Sequence, residues 1–303
     1  MRKKISIVIP VYNEQDCLMQ LWNRFIALVN RIKDYDFEFI FVNDGSKDNS
    51  LNILKSLAKD NQNIKVISFS RNFGHDIAIT AGADHTSSDA AVFMDADLQD
   101  PPELIDEMIS KFEEGYEVVY AVRNKRKGES LFKIKSAEFF YTFLNYFSYV
   151  KIPSNTSNFR LISKKALDAF KKMSERDRFL RGMISWVGFR QSAVYFDRDP
   201  RFAGETKYNL KKMIALAING IVSFSNAPLR LGSYGACFLL FIAFILFGLY
   251  FFKGDIYLIL SAIFFVGSIQ LLSIGMIGEY IIRIHNESLS RPIYIIDEKI
   301  NLD

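Results

Sequence analysis

Two uncharged apolar runs near the C-terminal end constrain this chain more than any other feature. "LGSYGACFLLFIAFILFGLYFF" covers 22 residues, 231–252, and "IYLILSAIFFVGSIQLLSIGMIG" covers 23, residues 256–278. A helix needs about 20 apolar residues to cross the hydrocarbon core of a bilayer. A surface helix of a soluble fold keeps a polar face, and these runs have none. Only Lys253, Gly254 and Asp255 separate them, so the pair predicts a tight transmembrane hairpin over 231–280. Lys207, Lys211, Lys212 and Arg230 precede the hairpin, Arg283 and Arg291 follow it, and its linker holds one lysine. The positive-inside bias then places both chain ends in the cytoplasm, in a multi-pass protein of the cell membrane. The N-terminus "MRKKISIVIP" lacks the apolar core and cleavage site of a signal peptide and reads as the lead into a strand.

The first 205 residues follow another pattern. Short apolar runs at 5–10, 37–43, 64–69, 90–95 and 117–122 alternate with helical stretches such as 14–32, 48–60 and 101–114. This alternation predicts an α/β domain, a mostly parallel sheet with helices on both faces. Ligands of such sheets bind beyond the carboxyl ends of the strands. The segments "PVYNE", "NDGSKDNS", "SRNFGHD" and "DADLQD" therefore gather in one cleft. Cys17 and Cys237 are too few and too far apart for a disulfide framework or zinc pattern. The net charge of +4 is modest for a nucleic-acid binder of this size, and none is expected as a partner. No Gly-x-Gly-x-x-Gly follows the first strand, which argues against a dinucleotide-dependent oxidoreductase.

The run 90–94 ends in Asp95, Ala96 and Asp97. Where a chain turns at a strand end, two carboxylates one residue apart can both face the cleft. They repel unless a cation holds them. Mg²⁺ or Mn²⁺ takes one or two carboxylates and fills its shell with phosphate oxygens and water. An Asp-rich turn capping the helix at Pro101 is the purely structural alternative.

Four motifs in order, "IPVYNE", "NDGSKDNS", "DADLQDPPE" and "RFAGETKY", resemble the family 2 inverting glycosyltransferases with a GT-A fold. They are most similar to the polyprenyl-phosphate branch, which includes bactoprenol glucosyltransferases and dolichol-phosphate mannose synthases. "ERDRFLRGMISWVGF" (175–189) and the C-terminal hairpin point to the bactoprenol members. The resemblance spans nearly the whole chain. It implies transfer of a sugar, most simply glucose, from a UDP-sugar to undecaprenyl or another polyprenyl phosphate, by a homotetramer.

Residue roles follow from the resemblance. Pro10, Tyr12, Glu14 and Asp44 hold the nucleotide's base and ribose. Asp95, Ala96 and Asp97 frame the diphosphate, with Asp95, Asp97 and Gln99 around the metal. Arg201 and Lys207 close over the donor or the lipid phosphate, in a loop that Gly204 frees to move. Asp97, Asn158 and Arg160 take the catalytic positions, and Arg123, Arg126 and Arg178 receive the acceptor phosphate. His75 stands where the family often has Lys. Two departures stand out. Asn43-Asp44-Gly45-Ser46 replaces a common Asp-Asp-Gly-Ser, and Ser157-Asn158-Phe159-Arg160-Leu161 replaces a common Gly-Asp-Phe-Arg-Leu. The second removes a carboxylate from a catalytic position, and a non-catalytic membrane partner subunit is the rival reading that it supports.

A lipid acceptor also accounts for the middle of the chain. The stretch 131–150 carries eight aromatic residues beside lysines, and 210–225 repeats apolar residues at helical spacing. Both suit helices lying in the headgroup layer, although an aromatic core helix is an alternative for the first. The expected plan is a catalytic domain over 1–205, an amphipathic segment over 206–230, the hairpin, and a cytoplasmic tail over 281–303.

Overall fold

The computed structural model describes residues 2–124, 156–197 and 256–302. The chain divides into two compact units, one of residues 1–142, 150–209 and 291–303, the other of 143–149 and 210–290. In the first unit the described residues form one eight-stranded sheet. Its strands are β1 (Lys3–Val11), β2 (Tyr35–Asn43), β3 (Ile64–Phe69), β4 (Ala90–Phe93), β5 (Val118–Arg123), β6 (Thr156–Ser163), β7 (Gln191–Phe196) and β8 (Ile296–Ile300). The spatial order is β7-β5-β6-β4-β1-β2-β3-β8.

The five strands expected from sequence all form, each within about two residues of the expected start. Ile5 to Val11 of β1 are buried without interruption. Such a run belongs to a central strand covered on both faces. Helices α1 (Gln15–Arg31), α2 (Ser50–Asp60), α3 (His75–Asp84) and α4 (Ile105–Glu113) follow β1 to β4 in turn, a 3₁₀ turn over Pro102–Leu104 leading into α4. In α1, Cys17, Leu18, Leu21, Phe25 and Leu28 are buried, at the three-to-four-residue spacing of one helical face. Helix α3 lies so close to the sheet that a Cβ on Gly82 would meet Val8 Cγ1 at 2.2 Å. Any larger residue there would overpack this contact, at about 1–3 kcal/mol.

The sheet is mixed rather than mostly parallel. β1 pairs in parallel with β2 and β4, β2 with β3, and β5 with β7. β6 is antiparallel to both β4 and β5, and β8 is antiparallel to β3. Neither β6 nor β8 was expected as a strand. The reversal of β6 has a functional consequence: its first residues lie beside the last residues of β4 and β5, with Phe93 opposite Arg160 and Val122 opposite Thr156. Helices α5 (Lys164–Lys171) and α6 (Leu180–Trp186) connect β6 to β7. Ser163 caps α5, its Oγ accepting from Ala166 N–H at 3.2 Å.

In the second unit the described residues form one helix, α7 (Ile256–Ser288). Its part Phe265–Ser288 is long and apolar enough to cross a membrane, and Leu271, Ile274, Ile277 and Ile281 on it are exposed. The helix runs past Gly278, where the uncharged run stops. The first apolar run, the linker at 253–255, the aromatic stretch 131–150, the segment 210–225, and residues Arg126, Arg201, Gly204 and Lys207 lie outside the described residues.

Candidate active site

The loops after β1 and β2 are laced together at the carboxyl edge of the sheet. Asn13 N–H donates to Ser46 Oγ at 3.0 Å, Glu14 N–H to Ser50 Oγ at 3.0 Å, and Lys47 N–H to Asn13 Oδ1 at 2.8 Å. These bonds explain the two Ser residues of "NDGSKDNS": each hydroxyl accepts from a backbone N–H of the loop after β1. Pro10 is buried at the end of β1, and Tyr12 and Glu14 stand half-buried just beyond it.

Asp44 is at this edge as expected, but its carboxylate is already engaged. It accepts from Asn72 Nδ2 at 2.8 Å, from Phe73 N–H at 2.6 Å and from Gly74 N–H at 3.0 Å. Burial pushes its pKa up, against the lowering effect of the Phe73 and Gly74 amides. Asp44 thus anchors the loop after β3. Gly45 makes this anchoring possible. Its φ is +64°, and a Cβ there would lie 2.5 Å from Arg71 C and 2.6 Å from Asn72 N.

Asp95 and Asp97 leave the end of β4 as predicted. Asp95 Oδ1 lies 2.7 Å from His75 Nε2, and His75 Nδ1 lies 3.2 Å from Asp76 Oδ1. Burial alone would raise the pKa of Asp95. The charge and hydrogen bond of His75, then the charges of Arg123 and Arg181, outweigh it and hold the carboxyl at about 2. Burial alone would lower His75, but Asp95 first and Asp76 second keep its pKa well above the ordinary value. At neutral pH the pair is therefore an imidazolium against a carboxylate. Asp97 is buried, and its Oδ1 accepts from Gln99 N–H at 3.2 Å. Ala96 is buried between the two acids, and Gln99 is half-buried beyond them.

The start of β6 closes the other side. Asn158 Oδ1 accepts from Arg181 Nε at 2.9 Å. Arg160 is buried, and its guanidinium donates to Ser157 O at 2.9 Å and Asn158 O at 3.3 Å, so it shapes the backbone that carries Asn158. Buried Asp100 bonds to Ser157 Oγ, and Arg123 lies 3.6 Å from Asp100 Oδ1. Arg178 donates to Met173 O at 2.7 Å and lies over the Phe170 ring.

Sequence reasoning missed Arg181, Asp100 and Asn72. Arg181 sits in the quoted segment "ERDRFLRGMISWVGF", yet nothing in spacing separates it from Arg178. The difference arises because α6 begins at Leu180 and sets Arg181 on its first turn.

No group of three His, Cys, Asp or Glu side chains forms a metal position among the described residues. An ion shared with a diphosphate needs only one or two protein carboxylates. Asp95, ionised, and buried Asp97 fit Mg²⁺ or Mn²⁺ on those terms.

Residues 6–170 match the family described as Glycosyl transferase family 2. The chain belongs to that family. This family 2 glycosyltransferase is 47% identical to the "Uncharacterized glycosyltransferase YkcC" of Bacillus subtilis (strain 168), over 98% of this chain and 94% of that protein. It is 39% identical to the bactoprenol glucosyl transferase of Shigella phage SfX, over 98% and 99% of the two chains. Among solved structures, mannosyl-3-phosphoglycerate synthase from Rubrobacter xylanophilus aligns with a TM-score of 0.50 and 17% identity, over 72% of this chain and 71% of that one. That likeness concerns the fold alone, an α/β mixed-sheet domain of the GT-A type.

Proposed function

We propose that this glycosyltransferase moves glucose from UDP-glucose to undecaprenyl or another polyprenyl phosphate at the cytoplasmic membrane face, inverting the anomeric carbon. The observation that carries the reading is the 39% identity to a bactoprenol glucosyl transferase along 98% of the chain, from the acid-ended cleft through the apolar helix. A non-acting partner subunit would have no need of an ionised Asp95 facing cations from three separate elements.

In this mechanism an oxygen of the lipid phosphate attacks C1 of the sugar. The bond from C1 to the β-phosphate oxygen breaks, and UDP leaves with the electron pair. Tyr12 and Glu14 line the nucleotide side, and Asp44 holds the 72–74 loop there. Asp95, Asp97 and Gln99 would hold a divalent ion, which when bound would supply charge neutralisation for the leaving group. Arg181 orients Asn158 toward sugar or acceptor, and Arg160 sets the backbone beneath it. Arg123, with Arg126 and Arg178, draws the anionic acceptor, and Arg201 and Lys207 cover the loaded cleft. A phosphate monoester has a second pKa of about 6, so the nucleophile is largely dianionic at neutral pH and needs positioning more than deprotonation. The two-helix hairpin, with both termini cytoplasmic, and a homotetrameric assembly belong to the same proposal.

The test is a panel of UDP-sugars offered to the purified full-length protein with undecaprenyl phosphate. UDP-glucose should give the fastest formation of lipid-linked sugar. A faster reaction with another UDP-sugar would replace glucose, and no reaction with any would remove the acceptor assignment.

A further inference from the structure

The segment after α7 was expected as a tail, yet it pairs with the edge of the sheet, and its first residues lie beside the loop that follows β3. β8 pairs antiparallel with β3, and Asn301 Nδ2 donates to Ala58 O and Ile64 O, both at 2.8 Å, fixing the far end of the strand. At the near end, Ser70 N–H donates to Ile295 O at 3.1 Å, and Arg176 donates to Arg291 O. Tyr294 stacks on Phe69, with centroids 5.2 Å apart and planes at 15°. Phe69 meets Phe73 edge-on at 5.6 Å, and the Arg71 guanidinium lies 4.3 Å from the Phe73 centroid on its other contact. Phe73 N–H in turn donates to Asp44. Tyr294 Oη donates to Asp84 Oδ2 at 3.0 Å, on the last residue of α3, whose first residue is His75.

We infer that Tyr294 is a positioning residue for donor binding, acting through the Tyr294–Phe69–Phe73 stack to hold the 70–75 loop against Asp44. The inference rests on the donor-site reading above and goes beyond it. Residues 291–301 become part of the catalytic domain's working structure, and the chain leaving α7 is tied directly to the nucleotide loop. Flat rings in contact define an orientation that aliphatic packing does not. Losing the stack therefore releases the loop while β8 stays paired.

The experiment compares the full-length protein with Tyr294→Ala, Tyr294→Leu and Asn301→Ala. It reads UDP affinity by calorimetry, hydrogen exchange of peptides covering 70–75, and Tm. Coupling of this kind typically changes affinity by several-fold to about thirtyfold. We expect Tyr294→Ala to weaken UDP binding about tenfold and to speed exchange at Phe73 and Gly74. Tyr294→Leu should do the same with a smaller loss of Tm. Asn301→Ala should lower Tm without either change. Unchanged exchange and UDP affinity in both Tyr294 variants would overturn the inference, and so would equal changes in Asn301→Ala. Should the unsubstituted protein bind no UDP, the functional reading falls, and the exchange at 70–75 alone decides whether Tyr294 holds the loop.

Discussion

Asn158→Asp puts a carboxylate where the family resemblance leads one to expect it. In the structure Asn158 Oδ1 already accepts from Arg181 Nε at 2.9 Å, so the substitution keeps the acceptor and adds a charge beside a guanidinium. At about 4 Å and an effective dielectric near 20, the attraction is about 4 kcal/mol before solvent screens this half-exposed pair. Asp95 shares the field of Arg181, which offsets part of the gain. The net effect holds the new carboxyl below the ordinary Asp value of about 3.9. The lipid phosphate has its second pKa at about 6. A proton moving from phosphate to this carboxylate would climb about two pKa units or more, roughly 2.7 kcal/mol. Above about pH 7 that proton is mostly absent. General-base help, where needed, is worth ~10²–10⁴-fold. The expected change on Asn158→Asp is therefore less than about tenfold. Initial rates at saturating lipid phosphate, from pH 5.5 to 8, measure it. An inert Asn form beside a strongly active Asp form would refute the argument and make position 158 the base.

Three further outcomes follow from the geometry. Gly45→Ala forces a left-handed residue into backbone at 2.5 Å, which should cost about 2–5 kcal/mol in denaturation; a loss below about 1 kcal/mol would mean that the loop yields freely. His75→Gln removes the partner of Asp95, whose fall from 3.8 to about 2 is worth at most about 2 kcal/mol, less after screening at the partly exposed His75. Because the folded pKa of His75 is raised, its contribution is complete below about 6.5 and fades as pH climbs past the raised value, so the Tm gap should be wide at pH 6 and narrow in alkali; a gap that widens with pH would contradict the pairing. Chelation should abolish transfer, with Mg²⁺ or Mn²⁺ restoring it, and full-rate transfer in excess chelator would refute the roles of Asp95 and Asp97.

Much of the fold was legible because central strands announce themselves. Apart from Ser6 and Glu38, which bond to each other, Ile5–Pro10 and Phe37–Val42 are apolar runs closed by turn residues, as strands buried on both faces must be. β8, "IDEKI", lies at the sheet edge with two exposed residues, so its charged sequence carried no such signal. β6, "TSNFRLIS", was noticed as a motif, but its direction was not readable, because antiparallel insertion depends on pairing partners distant in sequence. In the site, Asp95 and Asp97 were visible from their place after an apolar run. Arg181 was not, since its distinction from Arg178 depends on where α6 begins: Arg181 falls in its first turn, and Arg178 lies before it. Asp44 was readable as the residue that follows β2, while its bonds to Asn72, Phe73 and Gly74 depend on how closely Gly45 lets two loops approach.

The central claim is that this cleft joins a sugar to a lipid phosphate rather than to water. The most direct measurement follows UDP release and lipid product together, with the product's anomeric configuration read by NMR. The account predicts one glucosyl-phospholipid per UDP, in the configuration opposite to the donor's, and almost no UDP release without lipid phosphate. It also predicts collapse of both signals in Asp97→Ala with Tm retained. UDP release that ignores the lipid, or a product with the donor's configuration, would contradict it.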